Sequence, residues 1–290
     1  MTTPSTPAPP SDPIPRPTGP LHFTKHHGAG NDFLVLVDLD DTVPLGDQLV
    51  RALCDRRFGV GADGVIRVLR GEMGADLAMD LRNADGGVAE MSGNGMRCLA
   101  QAVVDVGVVK APTFTVWTLG GVRTVEFRPG ERPGTATASV DMGKADLGPD
   151  QPQRFAERRA REVDMGNPHL VLLGPDVDQV DVAGLGSQLQ EVHPGGVNVE
   201  FIAAGPAPDS IVLRVWERGV GETRACGTGS AAAAAAAQSW GLVGERVEVH
   251  NPGGVLTVLL APDGIRLSGP VRRVADVEVR PDEILAAAHP

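Results

Sequence analysis

SGNGMRCLAQAVV at residues 92–104 and CGTGSAAAAAAAQ at residues 226–238 begin alike, with a small side chain followed by Gly-x-Gly, and they stand 134 positions apart. Each follows a strand-like run and a glycine-containing loop, and each reads as the start of a helix. At the same offset Asn83 falls on Glu217 and Gly87 on Gly221. A second pair, GNDFLVL from Gly30 and GNPHLVL from Gly166, lies 136 apart. Two pairs in the same order at nearly equal spacing indicate an internal duplication. The sequence therefore predicts two related domains facing one another.

Around these helices, short alternating or β-branched runs recur at 33–37, 77–81, 113–119, 122–127, 211–216, 254–260 and 265–267, separated by Gly, Pro and Asp turns. Helices are few: 47–55, which Asp47 would open as its cap, then 94–106 and the alanine-rich 228–239. The fold class predicted is α/β in the α+β sense, strand-rich, with two prominent helices.

The chain has 290 residues, 42% of them hydrophobic, enough to fill real cores. Its formal charge of −11 would repel nucleic-acid phosphates and anionic lipid surfaces, so the expected partner is a small molecule. The local basic cluster of Arg154, Arg158, Arg159 and Arg161 reads as a solvated helix face or loop. Three cysteines, Cys54, Cys98 and Cys226, are odd in number and lack CxxC spacing, which argues against a disulfide framework or a zinc site and favours the cytoplasm. The first twenty residues hold eight prolines and read as a disordered tail. Seven alanines at 231–237 are too few and too weakly apolar for a membrane span, and a packing role between a central helix and enclosing strands is expected instead.

A small nucleophilic residue followed by Gly-x-Gly at a helix start has chemical meaning. Glycines let a ligand approach the backbone, and the free N–H groups with the positive helix end form an anion site. The same field favours a thiolate at Cys226. Two such turns in a duplicated chain could hold one carboxylate between opposed helix ends, with a reactive side chain on each face of the adjacent carbon. Inverting a stereocentre needs that arrangement: one base and one acid on opposite sides. No metal or pyridoxal phosphate is called for, because the helix ends can stabilise the developing charge.

Six stretches, four of them containing the motifs above, stand in a set order: FTKHHGAGNDF (23–33), RRFGVGADG (56–64), RNADGGVAEMSGNGMRC (82–98), MGNPHLV (165–171), GVNVEF (196–201) and WERGVGETRACGTGSAAA (216–233). Together they resemble the diaminopimelate epimerase family, from about Phe23 to about Val279. The resemblance implies two pseudo-symmetric domains, each a curved sheet around a central helix, with the substrate cleft between them. The implied division is 21–142 and 143–270, with 271–290 packing back on the N-terminal domain. It also implies interconversion of LL- and meso-diaminopimelate for lysine and cell-wall synthesis, by a homodimer that needs no cofactor. It makes Cys226 one catalytic acid/base and puts Ser92 at the position of the other. Asn31, Asn83, Gly93, Asn94, Asn167, Asn198, Glu217, Arg218, Gly227 and Thr228 match substrate-binding positions, and His169 and Glu217 match positions that modulate the catalytic pair. The residue chemistry agrees: amides both donate and accept, Arg218 can pair bidentately with a carboxylate, and Glu217 can hold an ammonium group. Cys54 and Cys98 read as buried and inert; His22, His26, His27, His193, His250 and His289 read as structural or exposed.

The departure is Ser92, where the family pattern places cysteine. An alcohol ionises about 7 pK units above a thiol, roughly 10 kcal/mol of extra cost to form the base. This opens two other readings: a racemase or dehydratase of a different amino acid, and an amino-acid-binding protein that has lost the inversion. Retention of Cys226, Glu217 and His169 favours chemistry.

Overall fold

Turn-separated runs rich in β-branched residues cannot bury both faces as isolated hairpins, and here they curl into curved sheets around the two glycine-started helices, the first of them closed. The computed structural model describes residues 19–155 and 158–288, so the proline-rich tail through residue 18 and His289 lie outside the described residues. The first half runs β1 (Leu21–Gly28), β2 (Asn31–Val37), α1 (Asp47–Cys54), β3 (Gly64–Arg70), β4 (Leu77–Asn83), β5 (Val88–Ala89), α2 (Gly93–Asp105), β6 (Thr113–Thr118), β7 (Gly121–Pro129) and β8 (Thr135–Gly143). The second repeats this plan with β9 (Asp146–Phe155), β10 (Arg158–Asp164), β11 (Pro168–Leu173), α3 (Val182–Val192), β12 (Asn198–Ala204), β13 (Ser210–Glu217), β14 (Gly221–Thr223), α4 (Gly227–Ser239), β15 (Arg246–Asn251), β16 (Gly254–Ala261) and β17 (Gly264–Val279), before α5 (Pro281–Ala287).

In the first half the strands pair in the order β1-β2-β3-β4-β6-β7-β8-β17, and β17 returns to β1 with Leu21 opposite Val279, closing a barrel around α2. In the second, β9-β10-β11-β12-β13-β15-β16-β17 wrap α4. The expected strand-rich α+β fold of two repeated domains is thus present, and the 16-residue β17 serves both halves. Its later part pairs with β1, while Ile284 and Leu285 of α5 pack on the cluster holding Leu49, Val50 and Leu53 of α1.

Packing explains the helix compositions. Ala231–Ala237 are all buried, at most 6% exposed, so methyl-sized side chains set how tightly the strands can close around α4. In α2 every residue from Gly93 to Val103 is buried, because the barrel surrounds it on all sides. Three local expectations need correction. Gly46, not Asp47, is the N-cap of α1, and Asp47 lies in its first turn, where a carboxylate favours the helix end without capping it. The basic cluster lies on strands: Arg158, Arg159 and Arg161 belong to β10, with Arg159 bonded to Asp150 and stacked 5.2 Å from the Trp240 ring. Helix α3 was hidden by Gly184 and Gly186; the Asp181 side chain caps it by accepting from Gly184 N–H at 2.9 Å.

Candidate active site

Ser92 and Cys226 occupy the same structural position, the N-caps of α2 and α4, both in extended backbone (φ −141°, ψ 122° and φ −117°, ψ 123°). Ser92 Oγ accepts from Gly95 N–H at 3.1 Å; Cys226 Sγ accepts from Gly229 N–H at 3.4 Å and lies 3.4 Å from Thr228 Oγ1. The helix ends meet at their first glycines: a Cβ placed on Gly227 would stand 3.0 Å from Gly93 Cα. A side chain on Gly227 would press on the α2 backbone itself, whereas one on Gly93 would meet mainly the flexible ends of Leu267 and Met142. The first-turn N–H groups of Gly93, Asn94, Gly227 and Thr228 have no intrahelical partner, so two positive helix ends converge on one point. That point is the floor of a 260 Å³ cavity, the size class of a small ligand.

The two caps differ in their electrostatic surroundings. Beside Cys226 lie Glu217, whose Oε1 accepts a short hydrogen bond from Thr223 Oγ1, and the buried Glu200, whose Oε1 is 2.7 Å from His169 Nδ1. Burial, then the charges of Glu217 and Glu200, push the Cys226 thiol well above its usual range, outweighing hydrogen bonds from Thr228 and Gly229 N–H. The helix-end field was expected to favour a thiolate; burial and two carboxylates win instead, and the group at rest is a thiol. Burial also raises the Glu217 carboxyl, against hydrogen bonds from Thr223 and from Cys226 itself. Across the duplication the equivalents of His169, Glu200 and Glu217 are Phe33, Ile66 and Asn83. Structure supports the match: a Cβ on Gly95 would meet Ile66 Cδ1 and Ser92 Cβ, where one on Gly229 would meet Glu200 Oε1 and Cys226 Cβ. At these three positions the ionisable side chains therefore stand on the Cys226 side, against Phe33, Ile66 and Asn83 on the Ser92 side.

The family profile described as diaminopimelate epimerase matches residues 23–148 and 161–274. Curated diaminopimelate epimerases resemble the chain closely: that of Thermobifida fusca is 42% identical, covering 90% of this chain and 98% of the relative. That of Corynebacterium glutamicum is 40% identical with the same coverages. The chain belongs to the diaminopimelate epimerase family. Among solved structures, a predicted epimerase from Pseudomonas aeruginosa superposes with a TM-score of 0.70 at 19% identity, covering 89% of this chain and 99% of that one. A hydroxyproline epimerase from Agrobacterium vitis, solved with trans-4-hydroxy-L-proline, gives 0.69 at 18%, covering 93% and 98%. At those identities the likeness is one of fold.

For this epimerase-family chain, the cavity wall contains every residue singled out from the sequence except His169. His169 stands behind the wall, buried, its Nε2 3.1 Å from Asn167 Oδ1. The asparagines are not equivalent. Asn198 uses both ends within the protein, donating to Pro168 O at 2.9 Å and accepting from Arg218 N–H at 2.9 Å, so it sets the turn that presents Arg218. Asn31 donates to Asp63 at 2.7 Å and accepts from Asn94 Nδ2 at 3.1 Å; Asn94 also donates to Ala225 O at 2.8 Å, tying the two halves together beside Cys226. Asn83 lines the cavity without a side-chain partner among the described residues. Arg218 is exposed at the mouth, and among the described residues its guanidinium has no carboxylate in ion-pair range and bonds only Gly195 O at 3.4 Å. Cys54 and Cys98 are buried, and burial pushes both thiols up to about 12. His26, read as structural or exposed, is fully buried, its Nδ1 3.2 Å from Gln101 Oε1.

Sequence reasoning missed three residues. Glu200 and Arg97 are fully buried beside the caps, and Arg123 lines the cavity on the Ser92 side, donating to Gly120 O at 2.7 Å. All three lay inside or near quoted motifs, but a charged residue in such a run reads as solvated unless the barrel around it is already known.

Proposed function

We propose that the chain interconverts LL- and meso-2,6-diaminopimelate by proton exchange at the α-carbon. The observation that supports this most is the contact of two helix N-termini at Gly93 and Gly227, each capped by a side chain that faces the shared cavity. In this reading the substrate carboxylate rests on the first-turn N–H groups, which stabilise the charge that builds as the α-proton leaves. Glu217 holds the ammonium group, and Arg218 with Asn83 and Asn167 receives the distal end. Cys226 works on one face. As a thiol hydrogen-bonded to Glu217 it can deliver a proton directly, or pass its own proton to Glu217, whose raised affinity suits it to accept, and act as base. Ser92 faces the other side as a weak acid and a far weaker base, so exchange at the Cys226 face outpaces inversion.

The domain boundaries at about 142 and 270, a homodimer and a cytoplasmic location belong to the same proposal; no described helix is long and apolar enough to cross a membrane. The test is incubation with LL-diaminopimelate and a panel of L-amino acids, read by chiral chromatography. Conversion of diaminopimelate alone is expected. Inversion of another amino acid with none of diaminopimelate would remove the assignment, and a monomer by light scattering at all working concentrations would remove the dimer.

A further inference from the structure

Arg97 is fully buried in the first turns of α2, and no carboxylate comes within ion-pair distance of it among the described residues. Its Nη1 donates to Gly93 O at 3.1 Å, its Nη2 donates to Asn94 Oδ1 at 2.7 Å, and its Nε finds no acceptor. Room for it comes from two glycines of the barrel wall: a Cβ at Gly28 would lie 2.8 Å from Nη2, and one at Gly269 would lie 3.3 Å from Cζ and from Nε. Burial without a partner charge lowers even this guanidinium to about 10, still charged at neutral pH. A buried, unpaired charge is costly and is retained where something offsets it. The duplication offers no precedent, for the matching position in α4 is Ala231.

The geometry points to a missing counter-charge that arrives from the cleft: we propose that Arg97 is a positioning residue for the ligand's carboxylate, acting through the Gly93–Asn94 peptide and the Asn94 side chain. In a trans peptide the C=O and N–H point in opposite directions. Arg97 sits on the carbonyl end of the peptide whose N–H end, on Asn94, faces the cavity floor. Donation to that carbonyl polarises the peptide and strengthens the N–H as a donor to an anion. The same guanidinium fixes Asn94 Oδ1, which turns Asn94 Nδ2 toward Asn31 and Ala225 and so holds the two helix ends in register. The α2 end therefore carries a buried cation behind its dipole, where the matching position in α4 is Ala231. This rests on the reading that the cavity takes an amino-acid carboxylate between the helix ends.

The test compares Arg97→Lys, Arg97→Gln and Arg97→Met with the native chain, using calorimetric affinities for LL-diaminopimelate and for its diamide, in which neutral carboxamides replace both carboxylates. Dividing one preference by the other cancels the distal end, which is the same in every protein. Loss of a charge roughly 7–8 Å from the anion across one peptide should cut the carboxylate preference between about tenfold and a hundredfold in the Gln and Met variants. Diamide affinity should stay within about twofold, and Lys should keep most of the preference. Equal weakening for both ligands would mean a structural role only, and unchanged preference would mean none; either overturns the proposal. Should the neutral variants not fold, the Arg97 Nε–H resonance of the native protein, assigned with the Lys variant, is read instead: it should shift with diaminopimelate and not with the diamide. A native chain that binds no diaminopimelate sinks the substrate reading, and the comparison then passes to whichever L-amino acid and amide pair it does bind. Failure to bind any amino-acid carboxylate ends this proposal as well.

Discussion

Gly227→Ala tests whether the contact between the helix ends is what makes the site. The added methyl would stand 3.0 Å from Gly93 Cα, 3.1 Å from Leu267 Cδ2 and 3.3 Å from Gly93 N. Ordinary carbon contacts lie near 3.5–4.0 Å, so the backbones of α2 and α4 must part by about 0.5 Å. Overpacking of this kind costs about 1–3 kcal/mol, and the better helix propensity of alanine returns at most about 1 kcal/mol, leaving a modest net loss. Function should suffer more. A displacement of about half an ångström between groups that grip one carboxylate should lower kcat/KM at least about tenfold. Gly93→Ala is the internal control: its methyl would meet the far ends of Leu267 (2.8 Å) and Met142 (3.3 Å), flexible side chains that can yield, and would reach Gly227 Cα only at 3.4 Å. Thermal unfolding and steady-state epimerisation of both variants decide the matter. If Gly227→Ala keeps native kcat/KM, or Gly93→Ala is the more damaging, the helix ends are not the gripping element.

Other expectations concern protons. Because burial, and after it the charges of Glu217 and Glu200, hold the Cys226 thiol up, Glu200→Gln should move the onset of Cys226 alkylation by iodoacetamide to lower pH; an unmoved onset would show that Glu200 is electrostatically silent there. A raised thiol contributes stability that is present below the unfolded-state pKa and is lost as pH climbs toward the folded value, so native stability should decline in the alkaline range more steeply than that of Cys226→Ala. Burial lowers His26, as it does His27, so the unfolded chain binds the extra proton first. The resulting stability is present above about pH 6.5 and is lost as pH falls toward the folded value. His26→Gln should flatten that acid slope in urea unfolding, and an unchanged slope would assign it elsewhere.

The two-domain plan was legible because duplication leaves its mark in glycine placement: Gly93 and Gly95 repeat as Gly227 and Gly229, each with neighbouring atoms within 3.4 Å of where a Cβ would stand. The alanine run signalled a tightly enclosed helix for a similar steric reason. What stayed hidden depended on closure of the sheet. Arg97 in a helix open to solvent on one side would be an ordinary surface charge; the barrel makes it an interior one, and because Asn94, Arg97, Gln101 and Asp105 recur at helical spacing as an exposed stripe would, the pattern gave no warning. Glu200, within NVEFIAA, sits in a strand whose first six residues are all buried, so strand alternation gave no warning. The thiolate expectation failed because a helix-end field is local and was weighed without the burial, and then the two carboxylates, that folding brings to Cys226.

The most direct test of the account follows α-proton exchange in deuterium oxide from each diaminopimelate stereoisomer, alongside inversion. One isomer should exchange faster than it inverts, since Cys226 serves one face well and Ser92 serves the other poorly; Ser92→Cys should raise inversion, and Cys226→Ala should abolish both. Fast inversion by the native chain that Ser92→Cys diminishes would contradict the account, making the serine a selected part of different chemistry on the same fold.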